Sequence, residues 1–311
     1  MTKINEMKEK NRYEQPLLIK GCTKGVSKNG SPYLNLQLQD DTGTIDAKLW
    51  DAKESDEEQI IVGHVAMISC EALEYNKNIQ LRVNHVKDMD QSQVALEDYV
   101  ISSSIPRAVS EQQIRFLLDS FKNENLKKLT AGMLKKVGNR FYEYPAAARI
   151  HHNFLGGLAE HTLGMVKAAE EICKLYPQLN RDLLVAGAIV HDLGKTSELS
   201  GPFTTEYTEA GKLIGHISIG QGWMAEVAAD LGLTDSEEAI LLRHMILSHH
   251  GQYDYGSPVL PEIQEAEVLY LLDNLDARMN TLRQSLQSVK AGEWTQKIFA
   301  LENRMFYKPK I

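Results

Sequence analysis

The chain has 311 residues, 43% apolar and 24% charged, an ordinary globular composition with length enough for two domains. A net charge of −8 argues against a nonspecific nucleic-acid coat protein, and no apolar run reaches the about 20 residues that span a bilayer, so no membrane partner is expected. Cys22, Cys70 and Cys173 are widely spaced with no CxxC pair, and the polar N-terminus lacks a signal-peptide core, which points to reduced thiols in a cytoplasmic protein.

Residues 1–12 read as a polar tail and residues 13–92 as strands. From Pro32 to Leu38 the pattern alternates with period two: Leu34, Leu36 and Leu38 face one side, Tyr33, Asn35 and Gln37 the other. Asp40-Asp41-Thr42-Gly43 is a turn. Thr44 to Trp50 alternates again, with Ile45, Ala47 and Leu49 inward and Asp46, Lys48 and Trp50 outward. His64 to Leu73 and Ile79 to Val86 follow, flanking a turn near Asn76-Lys77-Asn78, and residues 13–92 as a whole suggest five short strands in a small closed barrel. The stretch GSPYLNLQLQDDTGTIDAKLWD resembles an OB-fold β-barrel of the kind that binds single-stranded nucleic acid. Aromatic rings stack bases and Lys contacts phosphate, which makes Tyr33, Asn35, Gln37, Lys48 and Trp50 the candidate strand-binding residues. The plainer alternative is that Trp50 only caps the barrel end.

Residues 93–145 read as a helical connector. Ser110 with Glu111 and Gln113 is expected to open a helix through Phe121, and Pro145 to mark the entry of the next. Residues 107–150 carry nine Lys or Arg against four Asp or Glu, either a solvated helix face or a strip that guides phosphates. Residues 146–290 are helical by pattern, and 291–311 form a C-terminal tail that packs on its own domain or on a second subunit, so a homo-oligomer is open. Gly157 to Tyr176 is amphipathic and places Leu158, His161 and Met165 on one face. Leu183 to Val190 is apolar all round, so it should be buried, and it ends in His191-Asp192. Ala210 to Leu231 reads as largely helical with His216 near its start. Thr234 and Glu237 suggest a capping box for a helix that Gly251 terminates after His249-His250. Val268 to Leu286 carries Asp273 and Asp276 on neighbouring positions of one face.

Imidazole and carboxylate are the usual ligands of divalent metals in hydrolytic sites. His161, His191, Asp192, His216, His249, His250 and Asp273 are enough for one or two ions per chain with positions left for water and substrate. The two oxygens of Asp192 can bridge a pair of metals roughly 3.5–4 Å apart. Such a site supports hydrolysis by a metal-activated hydroxide. Mn, Fe, Co, Ni and Zn all suit these ligands.

The ordered set GLAEHT around His161, HDLGK at 191–195, His216, SHHG around His249-His250 and LLDNLDA around Asp273 resembles the HD phosphohydrolase superfamily of all-α, metal-dependent phosphoesterases. The resemblance implies His161, His191, Asp192 and Asp273 as core ligands, with His216, His249 and His250 as candidates for a second metal. It favours Asp273 over Asp276 and does not separate His249 from His250. Taken whole, with the OB-like segment and HHNFLGGLAEHT at 151–162, the chain resembles the YhaM-type 3'→5' exoribonucleases. That resemblance implies hydrolysis of single-stranded RNA, with single-stranded DNA open as a second substrate, and a preference for Mn2+ or a similar ion, Co2+, Fe2+, Ni2+ and Zn2+ remaining open. Lys195 is the candidate for contact with the scissile phosphate. His151 and His152 are candidates for placing substrate or protonating the leaving group, and Arg278 is a weaker phosphate candidate. The alternative activity is that of an HD-type cyclic-dinucleotide or nucleotide phosphohydrolase.

Overall fold

The alternation in Pro32–Trp50 dictates a hairpin with one apolar face. In the computed structural model its register pairs Leu34 with Leu49, Leu36 with Ala47 and Leu38 with Ile45, so every inward residue meets another. The structure describes all residues except Lys28, Asn76, Lys77, 148–153, Thr204 and Ser288, and only the backbone of Leu96 and Glu97.

The chain folds as two units, one built on Met1–Ser102 and one on Ser103–Gly201 with Thr205–Ile311. The first contains β1 (Arg12–Val26), β2 (Pro32–Asp40), β3 (Gly43–Trp50), α1 (Glu54–Gln59), β4 (Val65–Tyr75) and β5 (Asn78–Asp88). These strands close into a barrel in the order β1-β2-β3-β5-β4. The parallel β3–β5 pair, with Ala47 opposite Leu81, requires a crossover, and α1 lies between β3 and β4 in the sequence. The sequence pattern did not reveal α1, because its ESDEEQ stretch buries nothing. The N-terminal segment is part of the barrel: Ile4 and Met7 join its core, and the backbone N–H of Ile4 donates to Asp40 Oδ2 at 2.7 Å. Asp40 also accepts from Thr42 and Gly43, so this fully buried carboxylate holds both the β2–β3 turn and the N-terminal segment.

The second unit is helical: α2 (Arg107–Asp119), α3 (Glu124–Val137), α4 (Arg140–Glu143), α5 (Gly157–Leu175), α6 (Arg181–Val190), α7 (Lys195–Glu198), α8 (Glu209–Leu213), α9 (His216–Asp230), α10 (Glu237–Ser248) and α11 (Gln264–Gln287). Helix α6 is the axis. Every residue from Asp182 to Val190 is buried, and it packs against α3, α5, α10 and α11. Its polar start is satisfied, since Asn180 Oδ1 accepts from Leu183 N and Asp182 Oδ2 accepts from the backbone of Lys122 and Asn123. Among the described residues no helix is long and apolar enough to cross a membrane.

Three local expectations change. Helix α2 begins at Arg107 behind Pro106, and Ser110 is buried within the helix instead of capping it. The stretch from Ala210 to Leu231 is two helices, broken where Gly215 takes φ +76°. The cap of α10 is Ser236, which accepts from Ala239 N, and not Thr234. The basic segment is partly neutralised: Lys127 pairs with Asp119, Lys136 with Glu226, and Arg107 with Glu111 and Glu143.

Candidate metal centre and strand-binding face

Five histidines converge from three helix ends and one helix face. His161 projects from α5, His191 caps α6, His216 opens α9, and His249 with His250 follows α10. Asp192 lies at their centre, 2% exposed, and Asp273 comes from α11. His161, His191 and Asp273 bring ligand atoms together in one group of three, and His216, His249 and His250 in another. Asp192 faces both groups. Its Oδ2 lies 3.4 Å from His191 Nε2 and 3.7 Å from His161 Nε2, while Oδ1 lies 3.5 Å from His216 Nε2 and 3.6 Å from His249 Nε2.

Each of these rings has Nδ1 held by an acceptor. His161 Nδ1 meets Asp276 Oδ2 at 2.8 Å, and His216 Nδ1 meets Glu198 Oε1 at 2.9 Å. His191, His249 and His250 use the backbone carbonyls of Ala188, Ile246 and Tyr255 at 3.0, 2.7 and 2.7 Å. An acceptor on Nδ1 fixes the proton there and turns the Nε2 lone pair inward, the arrangement that orients metal-binding histidines. His161 Nε2 and His191 Nε2 then face one another 3.3 Å apart. Asp192 Oδ1, His216 Nε2 and His249 Nε2 are buried atoms without a hydrogen-bond partner. Leaving such a group unpaired costs about 1–3 kcal/mol, and bound divalent cations would satisfy all three. The donor set therefore fits the metals that the sequence implies.

The electrostatics agree. Burial pushes the Asp192 carboxyl up, but Lys195 and His191 outweigh it and hold it well below the ordinary carboxylate range. Burial would lower the Lys195 ammonium, yet Asp192 at 2.6 Å and Asp273 raise it, so it stays charged. Burial, reinforced by neighbouring His249, lowers His250 to about 4 and keeps it neutral.

Asp273 and Asp276 have different places. Asp273 Oδ1 is 3.4 Å from the inward Nε2 of His161, and Asp276 is on the opposite ring nitrogen. Asp276 and Glu198 are orienting groups that the sequence reading did not assign. Glu198 lies beyond the HDLGK motif in a stretch with no spacing signal, although an acidic side chain only 8% exposed is a sign of a bound partner. Asp276→Asn and Glu198→Gln are each expected to weaken metal affinity about 10- to 100-fold while leaving the fold intact. Metal titration followed by calorimetry, beside a circular-dichroism melt, checks this.

The glycine of HDLGK serves close approach rather than unusual backbone. Gly194 has φ −58°, but a Cβ there would lie 2.1 Å from the carbonyl oxygen of His216. Gly194→Ala is expected to displace the start of α9 and destabilise the protein by roughly 1–3 kcal/mol, seen as a lowered melting temperature with weakened metal binding.

Of the remaining candidates, Lys195 is beside Asp192, and Arg278 lies in the same cavity but is held by Glu302 in a two-point ion pair at 2.7 and 3.0 Å. His151 and His152 lie outside the described residues. On the barrel, Tyr33 and Trp50 are cross-strand partners with ring centroids 4.9 Å apart, and Lys48 Nζ lies 5.2 and 5.3 Å from the two rings. Asn35 pairs with Lys48 on this face and Gln37 with Asp46.

Residues 158–278 match the family model of the HD domain, and residues 18–89 match that of an OB-fold nucleic acid binding domain. The chain is thus an HD-domain hydrolase that carries an OB-fold domain. Three curated relatives are similar to it along nearly their whole length. They are the 3'-5' exoribonucleases YhaM of Bacillus pumilus (46% identical, 94% of this chain and 93% of that one), Bacillus subtilis (45%, 95% and 94%) and a Geobacillus species (44%, 94% and 90%). This chain belongs to the YhaM family.

Proposed function

We infer that the protein is a metal-dependent 3'→5' exoribonuclease that hydrolyses the phosphodiester bonds of single-stranded RNA. The observation that carries the reading is the pair of three-donor groups facing the two oxygens of Asp192, with each histidine held at Nδ1 and its Nε2 turned inward. Such a donor set would hold divalent ions, Mn2+ being the expected choice. When bound, the ions supply Lewis acidity toward phosphate oxygens and make water a nucleophile near neutral pH.

The protein's own groups have separable tasks in this reading. Ionised Asp192 and Asp273 supply the negative field of the centre. Asp276 and Glu198 keep His161 and His216 in the tautomer that faces inward. Lys195 stays protonated at the rim of the cavity, where its ammonium meets a phosphate oxygen and offsets charge that develops on the phosphoryl group. His151 and His152 remain candidates for placing the strand. The barrel contributes sequence-independent grip through Tyr33, Trp50 and Lys48. A nucleotide phosphohydrolase acting on monomers would gain nothing from that face. Single-stranded DNA as a second substrate, a cytoplasmic location, and assembly into a homo-oligomer complete the proposal, together with 13–92 and 146–290 as the extents of the two modules.

The test uses single-stranded RNA labelled at its 5' end, incubated with purified protein with and without Mn2+. The expected result is a metal-dependent ladder that shortens steadily from the 3' end. Intact RNA beside hydrolysis of a cyclic dinucleotide or a free nucleotide would leave the metal centre standing and remove the exonuclease reading.

A further inference from the structure

A cavity of about 380 Å³ adjoins the metal centre, with Lys195, His250 and Asp273 in its lining. Its far side is made by Ala300, Leu301 and Glu302 of the C-terminal segment. We propose that this cavity is a slot for one terminal nucleotide, and that the C-terminal segment is its end wall. The proposal rests on the exoribonuclease reading and adds what the site counts and where the strand must stop.

The size fits. Small-molecule sites run from about 300 to 1,000 Å³, and this cavity lies near the lower end, the scale of a single nucleotide. The lining fits as well. Tyr255 and Tyr270 give the slot two aromatic side chains, and Tyr255 remains 55% exposed. Exposed aromatic rings are the sequence-tolerant way to hold a base. Tyr270 is fixed in place, since its ring covers Gly251 so closely that a Cβ there would lie 2.2 Å from it.

The wall is built to stay. Leu301 is 1% exposed, and Glu302 joins Arg278 on α11 in the two-point pair while also accepting from Arg304 at 2.7 Å. Glu302 and Asn303 both take left-handed backbone, φ 52° and 57°, which non-glycine residues keep only where their surroundings hold them. Thr295 N bonds to Phe306 O at 2.9 Å, closing the segment on itself. Lys308 Nζ donates to the carbonyls of Leu286 and Val289, both at 2.8 Å, and ties the segment to the end of α11. The match to the general HD domain ends at residue 278, before the residues that form the wall.

A strand whose last nucleotide fills the slot presents one phosphodiester to the centre. Water adds to that phosphorus, the bond to the penultimate O3' breaks, and that oxygen takes up a proton, which releases a nucleoside 5'-monophosphate. A strand without an end cannot seat.

The test uses the full-length, Mn2+-loaded protein on three RNAs: linear with a normal 3' end, the same strand with an abasic 3'-terminal nucleotide, and a covalent circle. Wild type is expected to release mononucleotides from the linear strand, to make the first cut on the abasic end at least about fivefold more slowly, and to leave the circle intact. Tyr255→Ala should cut normal and abasic ends at equal rates. Leu301→Ala combined with Glu302→Ala, checked for folding by circular dichroism, should release dinucleotides or longer pieces and nick the circle. An abasic end cut as fast as a normal one by wild type overturns the slot, and a circle cut by wild type overturns the wall. Failure of wild type to shorten the linear strand at all overturns the exoribonuclease reading itself.

Discussion

Asp192→Asn is expected to keep the protein folded and to remove both its metal and its turnover. Among the described residues Asp192 is the one carboxylate whose two oxygens face both histidine groups, at 3.4 and 3.7 Å on one side and 3.5 and 3.6 Å on the other. Loss of an outer partner of a metal ligand typically costs 10- to 100-fold, so loss of a shared inner donor should exceed about 100-fold in turnover. Asparagine is the better replacement. Either replacement removes the charge 2.6 Å from the Lys195 ammonium, but alanine also removes the oxygen it donates to, and a buried donor left without an acceptor costs about 1–3 kcal/mol more. Asparagine keeps the volume and an oxygen for Lys195 to donate to. Metal per chain by mass spectrometry, RNA turnover and a thermal melt are measured on the same sample. A full metal complement with near-normal turnover would take Asp192 out of the site.

The candidate donors that the fold brings together here were legible in the sequence because ligand chemistry restricts residue type. Histidines and aspartates placed at the ends of apolar helices have few other reasons to be there, and the order His161, His191-Asp192, His216, His249-His250, Asp273 is long enough to be specific. What holds those donors was not legible. Three of the five Nδ1 atoms are held by backbone carbonyls, of Ala188, Ile246 and Tyr255, which no residue type announces. Asp273 and Asp276 are three apart on one helix and both meet His161, so spacing alone could not say which ring nitrogen each would reach. Arg278 read as a free phosphate candidate, because its partner Glu302 lies beyond the helix in a segment whose pattern specifies no element. The barrel was read more fully, since period-two alternation fixes both face and register in β2 and β3. Helix α1 and the break at Gly215 escaped, because a short polar helix and a single left-handed glycine leave no periodic trace.

Trp50→Ala and Tyr33→Ala should each weaken binding of a long single strand while sparing hydrolysis of a small phosphodiester. The two rings form one cross-strand pair with Lys48 over both, and Trp50 is 45% exposed, so a base can reach it. Tyr33 lies across Gly25 of β1, where a Cβ would come within 2.4 Å of its ring, so the bare glycine backbone is what admits the ring on that side. Stacking contributes about 1–3 kcal/mol per base, which translates to roughly fivefold to more than a hundredfold in affinity for each ring removed. Neither residue belongs to the barrel core, so the melting temperature should change little. Lys48→Ala should act differently, weakening binding and reducing the slope of affinity against salt by about one ion. Fluorescence anisotropy with labelled single-stranded RNA, repeated over a salt series, separates the two contributions. If affinity is unchanged when Trp50 is removed, the tryptophan only caps the barrel, and the grip on the strand must come from the helical unit.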